Sequence, residues 1–565
     1  MFTKGETSDF MTLVWNLFFM FGGVAAMMLG MKLMGGGLEK FAGGKMKVML
    51  GKITTNRLAG VGVGLAVTSI IQSSTATTVM LVGFVNVGLM TLGQAANVIM
   101  GANIGTTVTA HIVSLSGVGG SIDIGAIAAM IGCGGVLVSM LVKNEKVATI
   151  GSILGGLGMV FVGLEVISNY AKQIMFLENG NPQPFVETVF RADHFPLLLV
   201  LIGIVLTALV HSSSTITSLM VVLASIGVLS FKNALFLALG SNIGTCLTSI
   251  MSSIGTHVNA KRTAVIHLLF NTIGCVIFLA PLWIWGENLT EFFASLSGDV
   301  GQQIAIFHTL FNVITTILML PFIKWLVKLV CIIIPDKSEN DKKEDAGFAY
   351  IDERLFETPA VAVSNTKLEI IKMASIAKEN LNLAMKMIFE SQVQEQETFK
   401  NNENILNSLN KNITAYLTKL IGQDLSLKDD KKIGTYYHVV SDIERIGDYA
   451  ENIVEYTMRL RSEELTLSSE AVAELKELAD TINNLFDVSI KAFDERNTEI
   501  LTEVDKLEDS IDTFCAELDS RHIDRLKNGA CSAQIGSVYL QTIANLERVA
   551  DHITNVAFSI KKYSA

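Results

Sequence analysis

The residues of this chain best suited to chemistry are uncharged. Gln72-Ser73-Ser74-Thr75-Ala76-Thr77-Thr78 is a polar run inside an apolar tract from about 58 to 90, and His211-Ser212-Ser213-Ser214-Thr215-Ile216-Thr217 repeats it 139 positions later. The same offset relates Gly101-Ala102-Asn103-Ile104-Gly105-Thr106 to Gly240-Ser241-Asn242-Ile243-Gly244-Thr245. Two motifs sharing one offset indicate an internal duplication. In hydrocarbon, a run of hydroxyls and amides must face protein or a water-filled cavity. One such run would serve equally to glue two helices together. Paired runs, each followed at the same distance by Asn-Ile-Gly-Thr, fit helices interrupted at corresponding places in two halves.

A substrate at these motifs must suit Gln72, Ser73, Ser74, Thr75, Asn103 and Thr106 in one half, with His211, Ser212, Ser213, Ser214, Asn242 and Thr245 in the other. All are expected at helix ends, where free backbone N–H groups and the helix dipole bind an oxyanion without Lys or Arg. Carbonyls freed by the same breaks can hold Na+. Few ionisable groups lie in the apolar tracts, Glu165 and the histidines being the main ones, and no acidic chain suggests a proton relay. A buried dianion lacking a fixed cationic partner needs co-bound cations, which favours a cation-coupled anion symporter over a uniporter. A small zwitterion such as an amino acid fits these residues nearly as well.

The elements that position these residues follow from composition. Residues 1–335 carry 16 basic and 12 acidic side chains and are apolar and glycine-rich, whereas the remainder carries 27 and 42 within a net charge of −11. A membrane domain (1–335) therefore precedes a charged linker (336–364) and a soluble domain (365–565). Apolar segments run at about 10–31, 58–90, 94–116, 124–142, 147–169, 196–230, 233–255, 263–285 and 303–334. The first is kept as a spanning segment, because it is too long for a signal-peptide core and lacks a cleavage site. Six cysteines show no paired spacing.

Lys40, Lys45, Lys47, Lys52 and Arg57 place the loop before the first repeat (58–143) in the cytoplasm, as Lys143 and Lys146 do for the loop after it. The matching loops of the second repeat (197–286) carry the opposite bias: the approach from Glu178 to Asp193 is acidic on balance, whereas Lys232 and Lys261-Arg262 stand where the first repeat has no positive charge. The repeats are expected to insert in opposite orientations. Parity then requires either 58–90 or 94–116 to be re-entrant. A hairpin around Asn103-Ile104-Gly105 and a broken spanning helix at Gln72 to Thr75 are favoured, with the reverse assignment open. His267 with Asn271, and His308 with Asn312, share helix faces at i and i+4 and are expected to hydrogen-bond neighbouring helices.

From about Thr366 the spacing predicts roughly six soluble helices of about 20–30 residues. Asp442 to Ile453 is answered 103 positions later by Asn545 to Val556, so two three-helix units, each ending in the same helix, are expected. Glu444 with Asp448, and Glu547 with Asp551, sit four apart. Such pairs on two equivalent helices can offer oxygens to a divalent metal or iron, although one alone reads as a solvated face.

The paired Gln-Ser-Ser and Asn-Ile-Gly-Thr motifs resemble the type II sodium/phosphate cotransporter family in its bacterial form. The repeated Glu-Arg-x-x-Asp helices resemble a PhoU-like domain. The resemblance implies an all-α chain: a polytopic membrane domain of inverted repeats with broken or re-entrant helices, then a PhoU-like bundle. It implies Na+-driven uptake of inorganic phosphate across a bacterial cytoplasmic membrane, with phosphate and Na+ held by Gln72, Ser73, Ser74 and Thr75 and by Ser212, Ser213 and Ser214. It further implies a cytoplasmic bundle that binds a multinuclear metal cluster and modulates transport. His211 departs from the Gln usual in the family, and Thr75 from Ser; an imidazole there can titrate near neutrality. The partners expected are phosphate and the lipid bilayer, with no nucleic acid and with a homo-oligomer left open. Competing readings are transport or export of another anion or zwitterion, and a membrane-anchored phosphate sensor. An enzyme is not expected, since neither a phosphate-binding Gly-Lys loop nor a nucleophile triad can be assembled.

Overall fold

The computed structural model describes residues 4–42, 54, 56–115, 124–177, 179–191, 195–335, 350–390, 395–423 and 425–561, and the structural statements below concern these residues. Lys45, Lys47, Lys52, Glu178, Asp193 and the expected loop 117–123 lie outside them. The chain is helical throughout, and its residues divide into two compact units. One holds the residues up to Pro335 together with Asp352–Val361; the other holds Tyr350, Ile351 and the residues from Ala362 on.

In the first unit α1 (Lys4–Ala42) precedes three helices that form the first motif region: α2 (Arg57–Ile71), α3 (Ser74–Asn86) and α4 (Leu92–Ser114). After α5 (Ile124–Leu141) and α6 (Glu145–Met175) the pattern returns as α7 (Pro196–Val210), α8 (Ser213–Ser225) and α9 (Phe231–Ser252). Every start in the second set lies 139 positions after its counterpart, so the sequence duplication is a duplication of structure. The local signals repeat as well. Thr91 and Ser230 cap α4 and α9 through their hydroxyls, and Gly88 and Gly227 take φ of 72° and 78° in the preceding turns, a conformation open to glycine.

The unit closes with α10 (Val258–Ile284), α11 (Gly286–Leu296), α12 (Val300–Met319) and α13 (Ile323–Ile333), the last two separated by a 3-10 turn at Leu320–Phe322 that contains Pro321. Five stretches are long and apolar enough to span a bilayer: Met11–Ala42, Glu145–Met175, Phe231–Ser252, Val258–Ile284 and Val300–Ile333. By contrast, α2 and α3, of 15 and 13 residues, are each only about 20 Å long and too short to cross alone.

The break between α2 and α3 is a fold-back. Thr68 Oγ1 donates to Thr77 Oγ1 at 3.0 Å, although a continuous helix would separate nine residues by about 13.5 Å. This exchanges the two assignments favoured from sequence. The chain turns back at Gln72-Ser73, and no hairpin exists at Asn103-Ile104-Gly105, through which α4 runs unbroken, as α9 runs through Asn242-Ile243-Gly244. The glycines of that motif serve close helix crossing instead of termination. A β-carbon on Gly101 would lie 1.9 Å from Val61 O of α2, and one on Gly240 would lie 2.0 Å from Val200 O of α7.

Of the expected linker, 336–349 lies outside the described residues, and the remainder forms a 3-10 turn at Glu353–Glu357 and the start of α14 (Pro359–Glu390). That turn packs on the end of α3. Asn86 donates to Asp352 at 2.8 Å and accepts from His257 N at 2.9 Å, while fully buried Leu355 covers Gly83. Arg354 is salt-bridged to Asp352 at 2.9 Å and donates to Ser252 O at the C-terminus of α9.

The second unit continues α14 into α15 (Gln396–Ile421), α16 (Leu427–Ser462), α17 (Ser469–Glu495), α18 (Leu501–Lys527) and α19 (Ala533–Phe558). These are the six expected helices. The repeat-ending pair α16 and α19 pack on each other: Asp442 Oδ1 meets His552 Nδ1 at 2.9 Å, and Tyr449 stacks on the same ring. The central side chains Tyr436 and Tyr539, matched at offset 103, are both fully buried.

Candidate functional site

Each fold-back tip is built by the same three steps. The first limb ends on a left-handed residue, Gln72 (φ 58°) or His211 (φ 56°). An extended Ser73 or Ser212 follows, whose hydroxyl accepts the N–H of Ala76 or Thr215 and caps the second limb. The left-handed side chain then reaches the long helix of its own half: Thr109 Oγ1 donates to Gln72 Oε1 at 2.9 Å, and His211 Nδ1 lies 3.1 Å from Thr248 Oγ1. Gln72 Nε2 also donates to Ser69 O, which locks its amide. Thr109 and Thr248 are themselves 139 positions apart; the offset could have revealed them, but neither lies in a motif.

The second limbs present their N-termini to the tips. Ser74, Ser213 and Ser214 are buried, whereas Gln72, Ser73, Thr75 and Ser212 are half-buried and His211 is exposed. The limb α3 packs against α9, and α8 packs against α4, in addition to contacts within each half. The Ser73–Thr75 limb is thereby set on the helix carrying Asn242 and Thr245, and the Ser212–Ser214 limb on the helix carrying Asn103 and Thr106. These last four residues stand in mid-helix and not at the helix ends expected from sequence. Their donors are used locally: Asn103 and Asn242 donate to Ile99 O and Ala238 O, and Thr106 and Thr245 to Ala102 O and Ser241 O. What remains on them is acceptor oxygen, of which Asn242 Oδ1 is shared with His308 Nε2. At the two tips, the free backbone N–H groups are those of the first turns of α3 and α8, two positive helix ends suited to an anion.

The helix α12 ties the two long helices together. His308 Nε2 lies 3.2 Å from Asn242 Oδ1 of α9, His111 Nε2 of α4 lies 2.8 Å from Thr309 Oγ1, and Thr316 Oγ1 approaches Met100 O. As expected from sequence, His308 bonds a neighbouring helix, and so do His267 and Asn271, through Ser249 and Cys246 of α9; Asn312 does not, because its amide bonds back to His308 O of its own helix.

The second unit gathers carboxylates on two equivalent helix pairs. On α15 and α16, burial first, then Glu451 and Asp448, push the Glu403 carboxyl up to about 7, and burial also raises Glu444 and Asp448. On α18 and α19, one oxygen each from Glu508, Asp512 and Asp551 lies within 4.8 Å of the others, and burial followed by Asp512 raises Glu508, Glu547 and Asp551. Asp551 thus joins a trio in which Glu547 takes no part. Glu403, Glu508 and Asp512 were missed from the sequence because they lie on the preceding helices, although Glu508 and Asp512 show the same i, i+4 spacing. Hard carboxylate oxygens that raise one another's affinity for protons fit a divalent metal or iron. A bound cation would supply the opposing charge.

Comparison with known proteins agrees with this architecture. Residues 26–169 and 181–297 match the family described as Na+/Pi-cotransporter, and residues 370–457 and 475–560 each match the PhoU domain. The chain is 23% identical to an Escherichia coli K12 protein named "Putative inorganic phosphate export protein YjbB", over 96% of this chain and 97% of that one. It is 31% identical to "Uncharacterized protein YqeW" of Bacillus subtilis, over 54% of this chain and 95% of the relative. It is also 31% identical to "Sodium-dependent phosphate transport protein 2C" of the mouse, over 30% of this chain and 29% of that protein.

Proposed function

The chain belongs to the Na+/Pi-cotransporter family and carries a C-terminal PhoU domain, and on that premise we propose that this phosphate transporter moves inorganic phosphate together with Na+ across a bacterial cytoplasmic membrane. The observation that carries the proposal is the pair of matched tips, each with its second limb seated on the long helix of the opposite half. Phosphate binds between the N-termini of α3 and α8, with hydroxyls from Ser73, Ser74, Thr75, Ser212, Ser213 and Ser214. Gln72 and His211 hold the tips in register through Thr109 and Thr248. Na+ is taken by oxygens that carry no formal charge: the carbonyls freed at the ends of α2 and α7, and the side-chain oxygens of Asn103, Thr106, Asn242 and Thr245. Its charge offsets that of the dianion, which no Lys or Arg in the motifs can do. The halves insert in opposite orientations and alternate access around this site.

The PhoU domain lies in the cytoplasm and regulates flux, with metal held by the carboxylates of α15–α16 and α18–α19. A second reading, net export, is favoured by the name of the Escherichia coli relative, which aligns over nearly the whole chain. Labelled-phosphate flux measured in proteoliposomes under Na+ gradients of either sign tests both readings. Flux that follows the sign of the Na+ gradient supports symport, and flux that is outward-only under both signs supports a dedicated exporter.

A further inference from the structure

The pattern His-x-Leu-Phe-Asn occurs twice, ending at Asn271 on α10 and Asn312 on α12, and the phosphate pathway uses neither. Both asparagines are fully buried. Asn271 Nδ2 donates to His267 O at 3.3 Å and lies 3.1 Å from Cys246 Sγ, and Asn312 Nδ2 donates to His308 O at 2.9 Å. A backbone carbonyl only accepts, so these bonds fix which end of each amide is nitrogen. Each Oδ1 is left without a hydrogen-bond partner among the described residues.

His308 follows the same logic. Asn242 Nδ2 is committed to Ala238 O, so Asn242 Oδ1 accepts from His308 Nε2, and the Nδ1 of a neutral ring becomes a bare acceptor, also buried and unpartnered. Thr315 Oγ1, fully buried, has no partner either.

Register brings these atoms to one level. Cys246 meets Asn271 while Ser249 meets His267, so α9 and α10 run antiparallel. Phe278 meets Phe307, and a β-carbon at Gly274 would lie 3.0 Å from Thr315 Oγ1, so α10 and α12 are antiparallel too. Helices α9 and α12 therefore run in the same direction, and Asn312, one turn beyond His308, stands level with Cys246, one turn beyond Asn242. Asn271 joins them at Cys246.

We propose that the junction of α9, α10 and α12 is a Na+ site, formed by Asn271 Oδ1, Asn312 Oδ1 and Thr315 Oγ1 and separate from the phosphate-binding tips. Of the four unpartnered atoms at the junction, three (Asn271 Oδ1, Asn312 Oδ1 and His308 Nδ1) can only accept, and the fourth, Thr315 Oγ1, can offer lone pairs as well, a surplus of acceptors that suits a cation. Uncharged oxygens in a low-dielectric setting suit a monovalent one. The bond from His308 to Asn242 links the junction to the motif helix, so its occupancy bears on the phosphate site. This inference rests on the Na+-coupled reading of the protein.

The test is binding of radioactive Na+ to the purified full-length protein in phosphate-free choline buffer, with K+ as competitor, followed by phosphate uptake in proteoliposomes. Asn271→Leu and Asn312→Leu are expected to bind one Na+ fewer than wild type. The Na+ needed for half-maximal uptake should rise by about tenfold or more, while the phosphate requirement at saturating Na+ stays within about twofold. Thr315→Val, nearly isosteric, gives the same loss of one Na+ if the leucine variants fail to fold. Unchanged Na+ stoichiometry in a folded variant overturns the site and leaves an ordered water as its only occupant, and a wild type that binds no Na+ overturns it as well. Loss of one Na+ in the variants, in a protein whose phosphate flux ignores Na+, upholds the site and defeats the coupling reading.

Discussion

His211 meets Thr248 at 3.1 Å through Nδ1, the same step that Gln72 makes to Thr109 at 2.9 Å in the other half. An imidazole and a carboxamide of similar reach thus perform one structural task, tethering a left-handed tip residue to the long helix of its half. His211→Gln is expected to keep transport, with its pH dependence unchanged. Thr109→Val and Thr248→Val each remove one hydrogen bond, about 1 kcal/mol, and should lower phosphate affinity roughly fivefold. Uptake assays decide it; a His211→Gln variant with an altered pH profile would contradict the equivalence of the two side chains.

The close crossing of α2 on α4, and of α7 on α9, leaves no room for a side chain. Gly101→Ala and Gly240→Ala should each lower stability by about 1–3 kcal/mol or more and abolish flux, because the helices must separate. Gly62→Ala, where a β-carbon meets nothing within 4 Å, is the control expected to behave as wild type. Thermal midpoints in detergent make the comparison, and a Gly240→Ala protein as stable as the control contradicts the crossing.

How legible this was in the sequence differs from element to element. Polar runs at one offset disclosed the duplication and a helix break at Gln72 to Thr75, whereas the capping role of Ser73 and Ser212 emerged only from the structure. The re-entrant assignment was inverted because glycine has two uses. In Gly101-Ala102-Asn103-Ile104-Gly105 it admits a neighbouring backbone while the helix continues, and Asn103 bonds back to Ile99 O without ending it. The actual reversal rests on Gln72 in a left-handed conformation, which no residue type announces. Charge periodicity was enough for the six helices of the second unit. Glu403, Glu508 and Asp512 escaped notice because the carboxylate sets are completed across helix pairs, a tertiary relation.

The second unit holds one carboxylate by an opposite arrangement. Burial works to raise Glu474, but bonds donated by Arg525 at 2.7 Å and Tyr539 at 2.5 Å outweigh it and keep its carboxyl below the usual range. The unfolded chain then binds more protons than the folded one as pH falls into the carboxylate range. The contribution of this cluster to stability is complete above the unfolded value and is lost as pH drops through the folded one. Tyr539→Phe should cost about 1.5–3 kcal/mol at neutral pH and flatten the acid limb of the stability curve. Midpoints of the full chain from pH 3 to 7 test this, and an acid limb identical to wild type refutes it.

The trio Glu508, Asp512 and Asp551 should take a divalent metal or iron. Chelation is expected to lower the thermal midpoint of the full chain by several degrees, as for any ligand that binds only the folded state, and Asp512→Asn should remove that sensitivity. Metal content measured on the same samples should fall in parallel. A midpoint and metal content indifferent to chelator in wild type would leave the trio a solvated acidic face.

The most direct test of the central claim is labelled-phosphate uptake into proteoliposomes under an inward Na+ gradient, against an equal K+ gradient, for wild type and the Ser73→Ala/Ser212→Ala pair. Paired tips acting on one phosphate predict uptake that requires Na+ in wild type and is lost in the double variant, with either single variant strongly impaired. Uptake of equal rate in Na+ and K+, or a double variant that transports as wild type does, would contradict the account.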